Sequence, residues 1–241
     1  MNLADNIVDA FDGVSSPSVS LDRVIGSKIC HAIDDIVLLV EKDPHLAFML
    51  DEMGTHLKRH YDHSLRVGLI FQDLIRVYGE VNGVSSQSAT VAGYVHDYGK
   101  LSIDSSVLHK EGPLDEEETA EVHRHNVLLA TSEDIHLLND GDYSGLLPIV
   151  IRHHPYSRRM AGNNGNVFYD RRIIDGGTIR AAYLLRVADR YDALSSVRVY
   201  KKPFSEATIR NLMLPFDRLF PGIVEYLVKN FPPPKNYSNP T

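Results

Sequence analysis

The chain has 241 residues, with 25 basic and 32 acidic side chains, and its formal net charge is −7. This length favours one domain with an appendage, and an apolar content of 43% is sufficient for a full buried core. The negative charge argues against a general DNA- or RNA-binding protein, because phosphate backbones are bound by clustered Lys and Arg. A small anionic ligand remains compatible with it, since the local charge of a pocket matters more than the total.

Cysteine content and hydropathy bear on the compartment. Cys30 is the only cysteine, which excludes a disulfide within the chain and fits a reducing cytoplasm. The N-terminus lacks a basic region followed by a long apolar core, and no segment approaches the length of a membrane span. We therefore expect a cytoplasmic protein that does not contact the membrane and has no sensor domain fused to it.

The first third of the chain predicts helices. Residues 1–20 have little periodicity and are expected to form a flexible leader. An N-terminal helical segment is expected over residues 21–59. Its apolar residues recur at intervals of three and four, the spacing of one helix face: Ile25, Ile29, Ile33, Ile36 and Val40. Lys42-Asp43-Pro44 ends this helix, and a second is predicted from His45 to about His60.

Two further helices place polar residues next to buried faces. One carries an apolar stripe of Val67, Ile70, Leu74 and Val77, and His63 lies four residues before Val67 on the same stripe. The other runs from Ser85 to Val95 and delivers His96 and Asp97 to its end. Both patterns predict histidines that point inward.

The remaining pattern is also helical. Acidic residues at 115–117 open a helix whose inner face includes His125, and the apolar run 146–154 ends in His153-His154. Residues 155–176 form a long polar loop, and the next predicted helix carries Asp192 on its inner face with Asp189 beside it. Closing helices are predicted over 204–230, interrupted by prolines, before a proline-rich tail at 232–241. The fold class is therefore all-α, a helical bundle whose main domain spans residues 60–231.

Seven potential ligands stand at inward-facing ends of these helices: His63, His96, Asp97, His125, His153, His154 and Asp189. Imidazole and carboxylate suit iron, manganese or zinc, and seven such ligands exceed what one tetrahedral ion needs. Two ions bridged by Asp97 would use them all.

Each of these residues also has an ordinary structural interpretation. A histidine can be a hydrogen-bonded core residue or stand at a helix C-terminus favoured by the dipole, and Asp189 can form a salt bridge with a neighbouring arginine. Convergence favours the metal, which removes the cost of burying several unpaired ionisable groups together. Histidines 31, 45, 56, 60, 109, 123 and 136 show no such clustering and are expected to be structural or exposed.

The motifs resemble the HD-GYP branch of the HD phosphohydrolase superfamily. They begin with His63-Ser64-Leu65-Arg66-Val67 and His96-Asp97-Tyr98-Gly99-Lys100-Leu101. Lys110-Glu111-Gly112-Pro113-Leu114, His125, His153-His154 and Arg186-Val187-Ala188-Asp189-Arg190-Tyr191-Asp192-Ala193-Leu194 follow in the same order and spacing as in that branch. The resemblance runs from about residue 38 to 231.

The resemblance implies a helical domain that holds iron or manganese, with zinc or nickel acquired on purification, and hydrolyses cyclic di-GMP. It implies that the seven residues are the metal ligands, that Asp97 and Lys100 are catalytic, and that Lys100, Arg198 and Lys201 contact the substrate phosphates. A glutamate one turn before the first histidine accompanies a third metal in that branch, and this chain has Arg59 there, which favours two ions. After His153-His154 the branch continues with a Gly-Tyr-Pro loop. This chain has Pro155-Tyr156-Ser157 and an Asn/Gly-rich stretch instead.

Three functions are compatible with this sequence. The first is a dinuclear phosphodiesterase that hydrolyses cyclic di-GMP. The second is a signalling module that binds a cyclic dinucleotide or a protein partner with little or no hydrolysis, which the altered loop motivates. The third is an HD phosphohydrolase that acts on another nucleotide, which the basic residues of the same loop motivate.

Overall fold

The computed structural model describes residues 37–78, 84–138, 143–154, 176–196 and 203–233. Within these ranges the secondary structure is helical, without a β-strand, which confirms the predicted all-α class. The predicted leader, the start of the first helix, the loop after His154 and most of the tail lie outside the described residues. No helix in the described part of the chain is long and apolar enough to cross a membrane.

The structure contains ten α-helices within those ranges, and residues 37–42 are also helical. The α-helices are α1 (Pro44–His56), α2 (Lys58–Tyr78), α3 (Ser86–Val95), α4 (Ser105–Leu108), α5 (Glu116–His123), α6 (His125–Ala130), α7 (Leu147–Val150), α8 (Gly176–Ser195), α9 (Glu206–Met213) and α10 (Ile223–Asn230). Short 3₁₀ helices occupy Tyr98–Ser102, Glu133–Leu138 and Leu214–Arg218.

Local sequence explains several of the helix boundaries. Asp43 caps α1, where its side chain accepts hydrogen bonds from the backbone N–H groups of His45 and Leu46, and Pro44 opens the helix. Ser85 caps α3 in the same way. Asp115 and Glu118 form a reciprocal capping box at the start of α5, where the acidic residues predicted a helix N-terminus.

Helix α2 is the centre of the bundle. It packs against α1, α3 and α8, and its inward side chains, including Leu65, Phe71 and Leu74, are fully buried. Helix α8 in turn packs against α7 and α9. Because α2 and α8 are in direct contact, residues separated by more than a hundred positions in sequence meet along their shared face.

Helices α2 and α3 cross with their backbones in contact at two glycines. A Cβ atom added to Gly93 would lie 2.3 Å from the Cα of Gly68, and one added to Gly68 would lie 2.3 Å from the ring of Tyr94. No side chain fits at this crossing. The close approach fixes the end of α3, from which His96 and Asp97 follow, against the middle of α2.

One expectation about the end of a helix and one about the burial of a side chain are wrong. The second predicted helix ends at His56 rather than at His60, since residue 57 breaks the helix before α2 begins. Val77, predicted to be buried on the α2 stripe, is 48% exposed. It lies one residue before the helix ends, and periodicity indicates which face is apolar but not how far neighbouring helices cover it.

We predict that Gly93→Ala lowers the free energy of unfolding by about 1–3 kcal/mol, because the added methyl group overpacks a backbone-to-backbone crossing. Urea unfolding followed by far-UV circular dichroism measures the change.

Gly54→Ala is the matched control for this substitution. A Cβ atom at Gly54 lies 3.8 Å from the Tyr61 ring, an ordinary contact, so alanine should leave stability unchanged or raise it by up to about 1 kcal/mol. Equal destabilisation by the two substitutions would show that the crossing is not as tight as described.

Candidate metal centre

The structure brings together the seven residues that the sequence singled out as potential ligands. They come from five parts of the bundle: α2, the turn after α3, the start of α6, the turn after α7, and α8. Two groups of three have ligand atoms within 4.8 Å of one another, and these are His63, His96 and Asp97, and His125, His153 and His154. Asp189 lies beside the first group, with its Oδ1 3.1 Å from His63 Nε2.

Asp97 belongs to the first group and also faces the second. Its Oδ1 is 3.5 Å from His96 Nε2 and also 3.5 Å from His125 Nε2. Its Oδ2 is 3.9 Å from His63 Nε2. One carboxylate therefore faces members of both groups, as a bridging ligand would.

Three histidines share one local arrangement that fixes which ring nitrogen carries the proton. The Nδ1 atoms of His96, His125 and His153 each contact the backbone carbonyl three residues earlier, at Gly93, Val122 and Val150. Because a carbonyl can only accept, each Nδ1–H donates and each Nε2 carries a lone pair. These carbonyls lie at helix ends, where the backbone lacks an intrahelical partner.

The Nε2 atoms of these histidines are buried and have no hydrogen-bond partner within the described residues. A buried acceptor without a partner is costly, and three of them near one carboxylate need an explanation. A divalent cation supplies one, because it binds the Nε2 lone pair of imidazoles whose Nδ1–H is held by a carbonyl. The donor set of nitrogen and oxygen, without sulfur, fits iron, manganese or zinc.

Asp192 orients His63 from behind. Its Oδ2 accepts a hydrogen bond from His63 Nδ1 at 2.6 Å, and Arg66 and Ser196 donate to the same carboxylate at 2.6–3.1 Å. This arrangement directs His63 Nε2 towards Asp189 and Asp97. Sequence periodicity placed Asp192 on the buried face but gave it no role. The spacing of three residues between Asp189 and Asp192, on one helix face, was the available signal.

The electrostatics keep the carboxylates ionised. Burial raises the pKa of Asp97, but the neighbouring His96 imidazole and the Lys100 ammonium outweigh that effect and hold the pKa well below its usual value. Burial likewise raises the pKa of Asp189, and the hydrogen bond and charge of His63 outweigh it, so this pKa is also lowered. Both groups are therefore negative at neutral pH.

The same burial keeps most of the imidazoles neutral. Burial lowers the pKa of His125 well below its usual value and that of His96 to a lesser degree. Burial and the charge of a neighbouring histidine lower the pKa of His153 to about 4 and that of His154 to about 3. Burial also pulls the pKa of His63 down, but its bonds to Asp189 and Asp192 outweigh this and raise it. Ionised carboxylates and neutral imidazoles are the forms that bind metal.

Gly99 lies where the turn that carries Asp97 contacts α6. A Cβ atom added there would lie 2.0 Å from the carbonyl oxygen of His125 and 2.8 Å from the backbone nitrogen of Leu129. The turn that carries Asp97 therefore meets α6 backbone to backbone, which sets the distance from Asp97 to His125.

Two of the histidines expected to be structural or exposed lie at this centre. His60 Nδ1 is 3.2 Å from Lys100 Nζ and 3.4 Å from Asp97 Oδ2. The His123 ring is 5.5 Å from that of His154. Neither pattern was visible in the sequence, because their neighbours come from other segments. The predicted phosphate contacts Arg198 and Lys201 and the loop after His154 lie outside the described residues.

Comparison with known proteins identifies one matching family and several phosphodiesterases of similar sequence. The sequence model of the HD domain family matches residues 60–194. A 3′3′-cGAMP-specific phosphodiesterase 2 from Vibrio cholerae is 30% identical over 180 residues, 70% of this chain and 31% of that protein. A cyclic di-GMP phosphodiesterase from Pseudomonas aeruginosa is 29% identical over 175 residues, 73% of this chain and 40% of that protein. A 3′3′-cGAMP-specific phosphodiesterase 1 from Vibrio cholerae is 26% identical over 173 residues, 70% of this chain and 37% of that protein. The chain thus spans about a third of the length of the curated relatives it matches.

We predict that the chelator-treated protein gains stability as the pH rises from about 4 to about 6.5. Over this window the unfolded chain binds protons at its histidines, whereas buried His153 and His154, with pKa values of about 4 and about 3, do not. Each such histidine adds a slope of about 1.4 kcal/mol per pH unit to the free energy of unfolding. Above this window the raised pKa of His63 has the opposite sign, and its contribution is lost as the pH rises through that pKa.

Urea unfolding at a series of pH values measures this profile. His154→Gln should flatten the slope, and His56→Gln, at an exposed position, should leave it unchanged. A stability that is constant or that falls over the window would contradict the described burial of the histidines.

Proposed function

The chain belongs to the HD domain family, and from that premise we propose that it is a dinuclear metal-dependent phosphodiesterase that hydrolyses cyclic di-GMP. The observation that carries the proposal is the set of three buried Nε2 lone pairs, on His96, His125 and His153, beside the carboxylate of Asp97. The enzymatic domain is proposed to span residues 60–231, since α9 packs against α8 and α10 packs against α9 beyond the family match.

The proposed ligand sets follow the two groups. His63, His96, Asp97 and Asp189 would hold one cation, and His125, His153 and His154 with the shared Asp97 would hold the other. Iron or manganese is the proposed metal, because both accept imidazole and carboxylate ligands. Arg59, which stands in the position of a third-metal glutamate in the HD-GYP branch, is exposed, and this supports two ions rather than three.

Two divalent cations held there would lower the pKa of a water towards neutrality and polarise the phosphate. The chain's own groups prepare the site for this chemistry. Asp192 holds the tautomer of His63, and the helix-end carbonyls hold those of three further histidines. Lys100 donates to a non-bridging phosphate oxygen, where charge increases during attack on phosphorus. Arg198 and Lys201 are proposed to hold the other phosphate of a cyclic dinucleotide.

Two cyclic dinucleotides are candidate substrates. The phosphodiesterases matched above are named for cyclic di-GMP in one case and for 3′3′-cGAMP in two, which supports a 3′,3′-cyclic dinucleotide containing guanosine. The second candidate function is therefore hydrolysis of 3′3′-cGAMP at the same centre. From the order of its motifs we assign the chain to the HD-GYP branch, with an altered Gly-Tyr-Pro loop. We propose that this loop determines which of the two substrates the centre accepts.

Turnover of cyclic di-GMP and 3′3′-cGAMP by the protein reconstituted with Mn(II) or Fe(II) tests the activity. We expect linear dinucleotide or GMP as product and no turnover in the His96→Ala/Asp97→Ala variant, which removes a ligand and the bridge. Lys100→Ala should retain the metal and lose about 10²–10³-fold in kcat, as expected when one charge-stabilising donor is removed.

His56→Ala is the control for these variants, since its side chain is exposed and pairs only with Glu52 among the described residues. Undiminished turnover in the His96→Ala/Asp97→Ala variant would remove the proposed site. Micromolar binding of the cyclic dinucleotide without product would favour the non-hydrolytic receptor instead.

We predict about two equivalents of iron or manganese in protein purified without oxygen, because seven ligands exceed the needs of one ion. His153→Ala removes a ligand from the second group only and should lower the content towards one equivalent. Elemental analysis measures both, with His56→Ala as the control. A metal-free wild type that cannot be reconstituted would contradict the dinuclear centre.

A further inference from the structure

His60 lies on the first turn of α2, three residues before His63 and at the edge of the centre. Its side chain is 28% exposed, whereas that of Asp97 is almost fully buried. Its Nδ1 approaches two groups of the proposed machinery, Lys100 Nζ at 3.2 Å and Asp97 Oδ2 at 3.4 Å. The residue is neither among the seven ligands nor among the proposed phosphate contacts.

Hydrogen-bond donors and acceptors assign a direction to the contact with Lys100. A lysine ammonium has three N–H donors and no lone pair, so His60 Nδ1 must accept. The proton of the neutral ring is then on Nε2. At 3.2 Å the contact is a normal hydrogen bond.

The three donors of Lys100 can be followed in the same way. One goes to Asp97 Oδ2 at 2.6 Å and a second goes to His60 Nδ1. Among the described residues the third N–H has no acceptor, and we assign it to a ligand. Two acceptors on separate helical segments define the position of an ammonium that a flexible four-carbon chain would otherwise leave unfixed, and the Lys100 side chain is only 13% exposed.

We propose that His60 is a positioning residue: by accepting a hydrogen bond from Lys100, it holds the ammonium against Asp97 and directs the remaining N–H at a phosphate oxygen of the ligand. The inference rests on the proposed function, in which Lys100 contacts the phosphate, and adds the group that keeps Lys100 in place. It concerns anion binding as much as turnover, so it has a readout that does not require hydrolysis.

His60→Ala, His60→Asn and His60→Gln separate this role from packing. The amide oxygen of asparagine can occupy the place of Nδ1, whereas glutamine places its oxygen near the place of Nε2. We expect His60→Ala to lose about tenfold or more in kcat/KM for the cyclic dinucleotide, the usual cost of a hydrogen bond to a charged group. His60→Asn should recover most of that loss and His60→Gln should not.

The partner is tested with Lys100→Ala. If His60 acts through Lys100, adding His60→Ala to Lys100→Ala should cause no further loss, because the two substitutions remove the same interaction. Metal content should stay at the wild-type value in every His60 variant, which separates positioning from ligation.

Calorimetric titration of the manganese-loaded protein with inorganic phosphate keeps this inference distinct from the proposed function. If the wild type hydrolyses no cyclic dinucleotide, the proposed function fails, and the phosphate titration still decides the role of His60. We expect phosphate to bind about tenfold more weakly to His60→Ala than to the wild type. The inference is overturned if the wild type binds no phosphate, if His60→Ala binds it equally well, or if its effect persists without Lys100.

Discussion

The centre depends on one repeated interaction, a histidine at the end of a helical turn whose Nδ1–H donates to the carbonyl three residues earlier. His96, His125 and His153 all make this bond. It uses a carbonyl that the helix leaves without a partner and commits the ring to one tautomer. The remaining nitrogen then faces the interior as a lone pair that the described protein groups do not satisfy. Three such lone pairs beside one carboxylate make this part of the fold suited to hold a cation.

The helices and the centre constrain each other. Helix α2 provides His63 from its buried face, and Asp192 of α8 holds that ring from behind while Arg66 and Ser196 hold Asp192. The glycine crossing of α2 and α3 fixes the origin of His96 and Asp97. The potential metal ligands are therefore placed by contacts among buried helices rather than by flexible loops, so their geometry is set before a metal binds.

Much of this arrangement could be predicted from the sequence, and the rest could not for identifiable reasons. Periodicity and helix ends pointed to all seven potential ligands, because a residue on an apolar stripe or just after a buried helix is expected to face the core. Periodicity could not reveal His60, since its neighbour Lys100 belongs to a turn forty residues away and becomes adjacent only in the fold. Nor could it show which nitrogen each ring presents, because that depends on carbonyls freed by the exact helix end. The exposure of Val77 shows the same limit, since a stripe does not say where its cover stops.

Gly99 gives the centre a further property. The carbonyl oxygen of His125 occupies the space that the first carbon of any larger side chain would need. The residue thus acts as a spacer of fixed thickness between the two halves of the centre, and its small size is required by proximity rather than by backbone flexibility. A larger residue would push the turn that carries Asp97 away from the start of α6, and the two groups of potential ligands would move apart.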